Sequence, residues 1–98
     1  MGIEEDYLAV LETTRHMASA AASQDWQTLA EYERQRAEQL ATLTPVAHIP
    51  AHQDPALTQR ISAIVGQIEA EDAKTLEEAE VWLKQVGDLL RLDQSKAT

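Results

Sequence analysis

Apolar residues recur every three or four positions along the second half of the chain, between Leu57 and Leu90. This spacing places them on one face of a helix. The residues on that face are Ile61, Val65, Ile68, Thr75, Ala79, Trp82, Val86 and Leu89, with Asp72 as the one charged member. Asp54-Pro55 is a helix start signal, since the carboxylate can cap free amides and proline fits the first turn. The pattern predicts a third helix over about residues 55–92.

Two shorter amphipathic stretches precede this helix. Apolar residues at helical spacing predict helices over about residues 3–22 and 25–43, joined by a short polar turn that makes them antiparallel neighbours. The segment 44–54 contains two prolines and is predicted to be a loop. The predicted fold is all-α, with an antiparallel helical hairpin and a long third helix in a three-helix, bundle-like arrangement. We expect residues 1–98 to form a single domain.

The middle of the third helix is mostly polar, from Glu69 to Thr75. Thr75-Leu76-Glu77-Glu78 fits a capping-box pattern, so a break near residue 72 would give four helices. However, residues 69–74 contain neither glycine nor proline, and all of them are compatible with a helix. We therefore expect one continuous helix.

The predicted helices differ in length. The third helix would be about 50–55 Å long, whereas the first two would be roughly 30 Å each. An overhang of roughly 20–25 Å follows, and it carries apolar side chains. The pattern equally favours two ways of covering them: a groove for an amphipathic helix of a partner, or a dimer through the third helix.

Two charged residues lie on the inner face of the second helix. Glu33 and Arg36 are three residues apart, so we predict that they form a partly solvated ion pair of low energetic value. The alternative is a buried polar pair that fixes the register of the helices, as in coiled coils.

The charge of the chain is strongly negative. Its formal net charge is −9 and it has no basic run, which argues against binding to nucleic acid or to anionic lipid. No stretch is apolar enough to insert into a membrane, and the N-terminus lacks the features of a signal peptide. The absence of cysteine excludes disulfides and thiolate metal sites. We find no spacing typical of a metal, phosphate-binding or catalytic site, and we expect a cytoplasmic protein that is not an enzyme and needs no cofactor.

Two segments resemble a known family. The first is Met-Ala-Ser-Ala-Ala-Ala-Ser-Gln-Asp-Trp-Gln-Thr-Leu-Ala at 17–30, in which a helix ends, an Asp-Trp turn follows and a second helix begins. The second is Leu-Thr-Gln-Arg-Ile-Ser-Ala-Ile-Val-Gly-Gln-Ile at 57–68, which opens the long helix. Together with the element lengths, they make the chain similar to the FliT family of flagellar export chaperones over roughly residues 3–92.

The resemblance implies a cytoplasmic, non-catalytic helical chaperone. Its client would be the filament-cap protein, whose C-terminal helical segment it would bind, preventing premature assembly. It would then help to present that client to the type III export ATPase complex. The alternative function is a homodimeric coiled-coil structural or adaptor protein.

The resemblance also bears on the binding surface. Longer family members carry an additional C-terminal helix that folds over this surface, and the sequence ends where that helix would begin. The resemblance therefore implies neither such a lid for this chain nor the role in transcriptional regulation that some members have. Our hypothesis is that the client binds a face of the third helix with a contribution from the second. Its residues would be Ile61, Ile64, Ile68, Leu76, Leu83, Tyr32 and Leu40.

Overall fold

The computed structural model describes residues 2–49 and 54–97, with the side chains of residues 92–97 excepted. Helix α1 spans Ile3–Ala22, α2 spans Trp26–Ala41 and α3 spans Pro55–Ala97, with a short 3₁₀ turn at Val46–His48. The described residues contain no strand. The predicted all-α fold, a hairpin with a long third helix, is confirmed.

The helix boundaries differ in places from those expected. Helix α2 begins one residue later than predicted, because Asp25 serves as its cap, and it ends at Ala41 instead of residue 43. Helix α3 runs without a break through Asp72, so the four-helix alternative is wrong. It also continues to Ala97, five residues beyond the predicted end. The helix is unbroken at Asp72 because residues 69–74 are an uninterrupted run of helix-forming residues.

Side-chain caps start two of the helices. The Asp25 carboxylate accepts hydrogen bonds from the Thr28 backbone amide at 3.2 Å and from the Thr28 hydroxyl at 2.7 Å. These bonds hold the pKa of Asp25 below its ordinary value, because they favour the charged form. At the start of α3, the Asp54 carboxylate accepts from the Leu57 amide at 3.0 Å. The Asp54-Pro55 start signal thus acts as predicted.

The turn between α1 and α2 reverses the chain within three residues. Gln24 adopts a left-handed backbone conformation with φ of 58°, which closes the end of α1. The Gln24 amide donates to the Ala21 carbonyl at 3.0 Å, and the Asp25 amide donates to the Ala20 carbonyl at 2.9 Å. This pair of bonds is the Schellman motif, and it makes α2 an antiparallel neighbour of α1.

Helix α1 lies between the other two helices and packs against both. Among the described residues, no Cα atom of α2 comes within 8 Å of one in α3. Helices α1 and α3 run parallel, since Glu4 near the start of α1 pairs with Arg60 near the start of α3 at 3.0 Å. We call the space between α2 and α3, which has α1 at its base, the cleft, and α2 and α3 its two walls.

The buried side chains form two clusters. One joins the start of α1, the loop and the start of α3, and consists of Tyr7, Leu11, Ile49, Ile61 and Ile64. The Tyr7 hydroxyl donates to the Thr44 carbonyl at 2.6 Å and so fastens the loop to α1. The other cluster closes the hairpin turn and consists of Met17, Ala20, Ala21 and Leu29. The buried residues of both clusters lie within residues 7–64.

Helix α3 extends well past the hairpin. It is about 64 Å long at 1.5 Å per residue, against about 30 Å for α1, and the longest dimension of the molecule is 68 Å. Trp82 lies against Trp26, the first residue of α2, with ring centroids 5.2 Å apart. Residues 83–97 lie beyond this contact and form an overhang of about 22 Å, close to the length expected from the sequence.

Candidate docking surface on α3

A row of leucines on the second half of α3 is open to solvent. Leu76, Leu83 and Leu90 expose 61%, 61% and 58% of their surface. They are spaced seven residues apart, so they lie on nearly the same side of the helix, two turns from one another. We call these three residues the leucine row. Leu89, nearby on the same helix, is also exposed.

The leucine row begins beside the cleft between α2 and α3. Two side-chain contacts cross this cleft. One is the contact between Trp26 and Trp82 beside the hairpin turn, where the rings meet at an angle of 56°. The other is an ion pair between Arg36 of α2 and Asp72 of α3, with Nη1 and Oδ1 2.6 Å apart. Leu76 and Ala79 lie between these two contacts along α3.

The ion pair is a three-helix contact. Nη1 of Arg36 also donates to the Thr14 hydroxyl of α1 at 3.3 Å, and the Thr14 hydroxyl in turn donates to the Val10 carbonyl at 2.8 Å. The predicted pairing of Arg36 with Glu33 is wrong, because Arg36 turns inward to Asp72 and Thr14. This contact explains why Asp72, a charged residue, occurs on the apolar face of α3.

The structure divides the seven predicted binding residues into four groups, of which Tyr32 alone forms the last. Ile61 and Ile64 expose 0% and 6% of their surface and belong to the core, so a partner cannot reach them while the fold is intact. Ile68 is half-buried against the same cluster. Leu76 and Leu83 on α3 and Leu40 on α2 are exposed, as a docking surface requires.

Tyr32 lies elsewhere. Its ring stacks on His16 of α1 with centroids 5.0 Å apart, and the planes are within 12° of parallel. The two rings line a shallow depression of about 230 Å³ formed only by α1, α2 and the turn between them, with Ser19, Ala20, Ser23, Asp25 and Thr28 as the other lining residues. The structure therefore does not bring Tyr32 together with the leucine row.

Sequence reasoning missed one member of the surface. The candidate site predicted from the sequence does not contain Leu90, which lies seven residues after Leu83 and continues the row. The seven-residue spacing from Leu83 to Leu90 is the feature of the sequence that indicates its membership of the row. The sequence did not indicate which apolar positions of α3 the hairpin would cover.

A comparison with known protein families was made on the whole sequence. The pattern that defines one family, described as flagellar protein FliT, matches residues 4–98. The chain belongs to the FliT family. The match includes both walls of the cleft and the whole leucine row, so the candidate surface lies within the part of the chain that defines membership. Searches of curated proteins and of solved structures each found no match.

The described residues of this FliT-family chain also bear on two other kinds of site. Within residues 2–49 and 54–97, no three histidine or carboxylate side chains are grouped as a metal site would need. Across the same ranges, no helix has both the length and the apolar character to cross a membrane. The leucine row and the adjoining cleft are thus the features that indicate a function.

Proposed function

We propose that this chain is a non-catalytic flagellar export chaperone for the filament-cap protein. In this proposal it binds the C-terminal helical segment of that protein in the cytoplasm and prevents premature assembly. It then presents the client to the type III export apparatus, including the export ATPase complex. Membership in a flagellar family and the exposed leucine row support the proposal.

The observation that carries the proposal is the exposure of the leucine row. Three leucines in one line are more than half exposed on a helix that continues past its own support. An amphipathic helix places residues at the same spacing along its apolar face, so it can pack lengthwise against such a row. The revised candidate site is therefore Leu76, Leu83 and Leu90 on α3. Leu40 lies one turn after Arg36 on α2, on the opposite side of the Arg36–Asp72 pair from Leu76.

The expected affinity is moderate. Covering about 600 Å² of apolar surface would contribute roughly 15 kcal/mol, most of which is offset by the costs of association and ordering. The net dissociation constant would then be roughly micromolar, which suits a chaperone that must release its client.

Charged substitutions in the leucine row test the proposal. We expect Leu76→Asp and Leu83→Asp each to weaken binding of a peptide from the C-terminal helix of the cap protein by about tenfold or more, since a carboxylate would be desolvated on binding. Fluorescence anisotropy of the labelled peptide measures this. Helix content and the thermal unfolding midpoint should be unchanged, because both leucines are exposed.

Val81→Asp is the matched control. Val81 is exposed on the same helix but points about 160° away from Leu83. We expect this variant to bind the peptide as the unmodified chain does. Equal weakening by all three variants, or unfolding of the leucine variants, would refute the leucine row as the binding site.

A specific observation also favours the homodimeric adaptor as a second candidate. Leucines at heptad spacing are typical of coiled coils, and an antiparallel pair of α3 helices would cover both rows. Sedimentation velocity over a concentration series distinguishes the two. A tight dimer that Leu83→Asp dissociates, together with no affinity for the peptide, would favour the adaptor.

A further inference from the structure

Carboxylates border the first part of the leucine row on α3. Glu80 lies four residues after Leu76 and three before Leu83, so it is adjacent to both on the helix surface. Glu69 lies seven residues before Leu76 and extends the line of the row. Both glutamates are exposed, and neither is within 4.0 Å of a basic group among the described residues.

The opposite wall of the cleft adds another carboxylate. Glu33 of α2 lies seven residues after Trp26 and three before Arg36, both of which contact α3. It is therefore on the side of α2 that faces α3. Arg36, the basic residue three positions after Glu33, is already paired with Asp72.

The charge along α3 is uneven. Between residues 69 and 80 there are six acidic residues and one basic residue, Lys74, which pairs with Glu71 at 3.1 Å. Between residues 83 and 91 there are two basic residues, Lys84 and Arg91, and one acidic residue. The negative charge is thus concentrated beside Leu76, where the row meets the cleft.

We infer that the partner of this surface is an amphipathic helix with basic residues flanking its apolar face, over the part that lies beside Leu76 and Leu83. The inference rests on the proposed function and names the chemical class of helix selected. Opposite charges on the partner would pair with Glu69, Glu80 and Glu33, whereas an acidic helix would place like charges beside them. In an antiparallel dimer a second copy would bring residues 83–91, with two basic residues and one acidic residue, to this surface, whereas a basic helix would bring several cations and is favoured.

Two synthetic peptides test the inference. Both have the same length and the same leucines on the apolar face, and they differ only in carrying lysine or glutamate at the flanking positions. We expect the lysine peptide to bind about tenfold more tightly at low ionic strength, since several exposed pairs add small contributions. The ratio should shrink toward one near 1 M salt, where the screening length falls to about 3 Å.

Neutral variants of the chain locate the effect. The double variant Glu69→Gln and Glu80→Gln should lose most of the preference for the lysine peptide. The control is Glu77→Gln with Glu78→Gln, which removes the same charge from exposed positions of the same helix that lie away from the row. The control should keep the preference, because its carboxylates do not face the partner.

The outcomes separate this inference from the proposed function. Equal binding of both peptides, or equal effects of the two double variants, would overturn the inference and leave the chaperone proposal standing. Failure of both peptides and of the cap-protein segment to bind would overturn both. A dimer that is dissociated by Leu83→Asp but not by the lysine peptide would show that a second copy occupies the row, and would also overturn the inference.

Discussion

Arg36 connects all three helices through one guanidinium nitrogen. Nη1 lies 2.6 Å from Oδ1 of Asp72 on α3 and 3.3 Å from the Thr14 hydroxyl of α1. The arginine side chain is mostly buried, whereas that of Asp72 is 43% exposed. The pair therefore fixes the position of α3 against the hairpin more than it adds to stability, since water screens the exposed partner.

A double-mutant cycle measures this contact. We expect Arg36→Ala and Asp72→Ala to show a coupling of about 0.5–1 kcal/mol in the free energy of unfolding, because each variant removes the same ion pair. Urea unfolding followed by circular dichroism gives the four free energies. The control cycle pairs Arg36→Ala with Glu33→Ala and should show a much smaller coupling. A larger coupling to Glu33 than to Asp72 would contradict the arrangement described.

At the scale of the elements, α3 consists of two parts with different surroundings. Its first part carries Ile61 and Ile64 into the core with Tyr7 and Leu11 of α1. Its second part, from Leu83 onward, lies past the hairpin and has no buried residue among the described side chains. One helix therefore serves both as a member of the core and as an exposed surface.

Truncation of one residue from each part tests this division. We expect Ile61→Ala to lower the free energy of unfolding by about 2–5 kcal/mol, since it leaves a cavity in the core. Leu83→Ala should change it by less than about 0.5 kcal/mol, because the side chain is exposed. Urea unfolding measures both. Should Ile61→Ala not fold, Ile61→Val with an expected loss of about 0.5–1.5 kcal/mol keeps the comparison.

Two outcomes would contradict this division of α3 into a buried part and an exposed part. A small effect of Ile61→Ala would mean that this residue is available to a partner, as the sequence alone suggested. A large effect of Leu83→Ala in the monomer would mean that the overhang is covered within the chain.

Most of the fold could be predicted from local sequence. The Asp25 and Asp54 caps, the helical spacing and the unbroken run from 69 to 74 act within a few residues, so they can be recognised without knowing the fold. The assignment of the binding face could not be predicted in the same way. Ile64 and Leu83 are both apolar residues of α3, but they point about 100° apart, and the packing of the hairpin on one side of the helix buries the first and leaves the second exposed.

The neighbour of Tyr32 also could not be predicted from the sequence. Helical spacing places it on the inner side of α2, but an inner side can face either of two neighbours. In the structure it packs on His16 of α1, away from α3. Similarly, the spacing of Glu33 and Arg36 indicated a pair within α2, whereas a carboxylate 36 residues further along the chain is the actual partner of the arginine.

At the scale of the whole molecule, the central claim is that no other part of residues 2–49 and 54–97 covers the end of α3. The molecule is 68 Å long but only about 20 Å wide, because a short hairpin supports one end of a long helix. An isolated helix of about 15 residues is marginally stable in water. Residues 83–97 should therefore gain order when a partner covers the leucine row.

Hydrogen exchange of the backbone amides tests this claim most directly. In the free chain at low concentration, amides of residues 84–97 should exchange much faster than those of residues 61–72, which belong to the packed part of α3. Saturation with the cap-protein helix should slow exchange from about residue 76 to residue 90, while residues around His16 and Tyr32 stay unchanged. Equal protection of both parts of α3 in the free monomer would contradict the account, and so would protection on binding confined to the depression beside Tyr32.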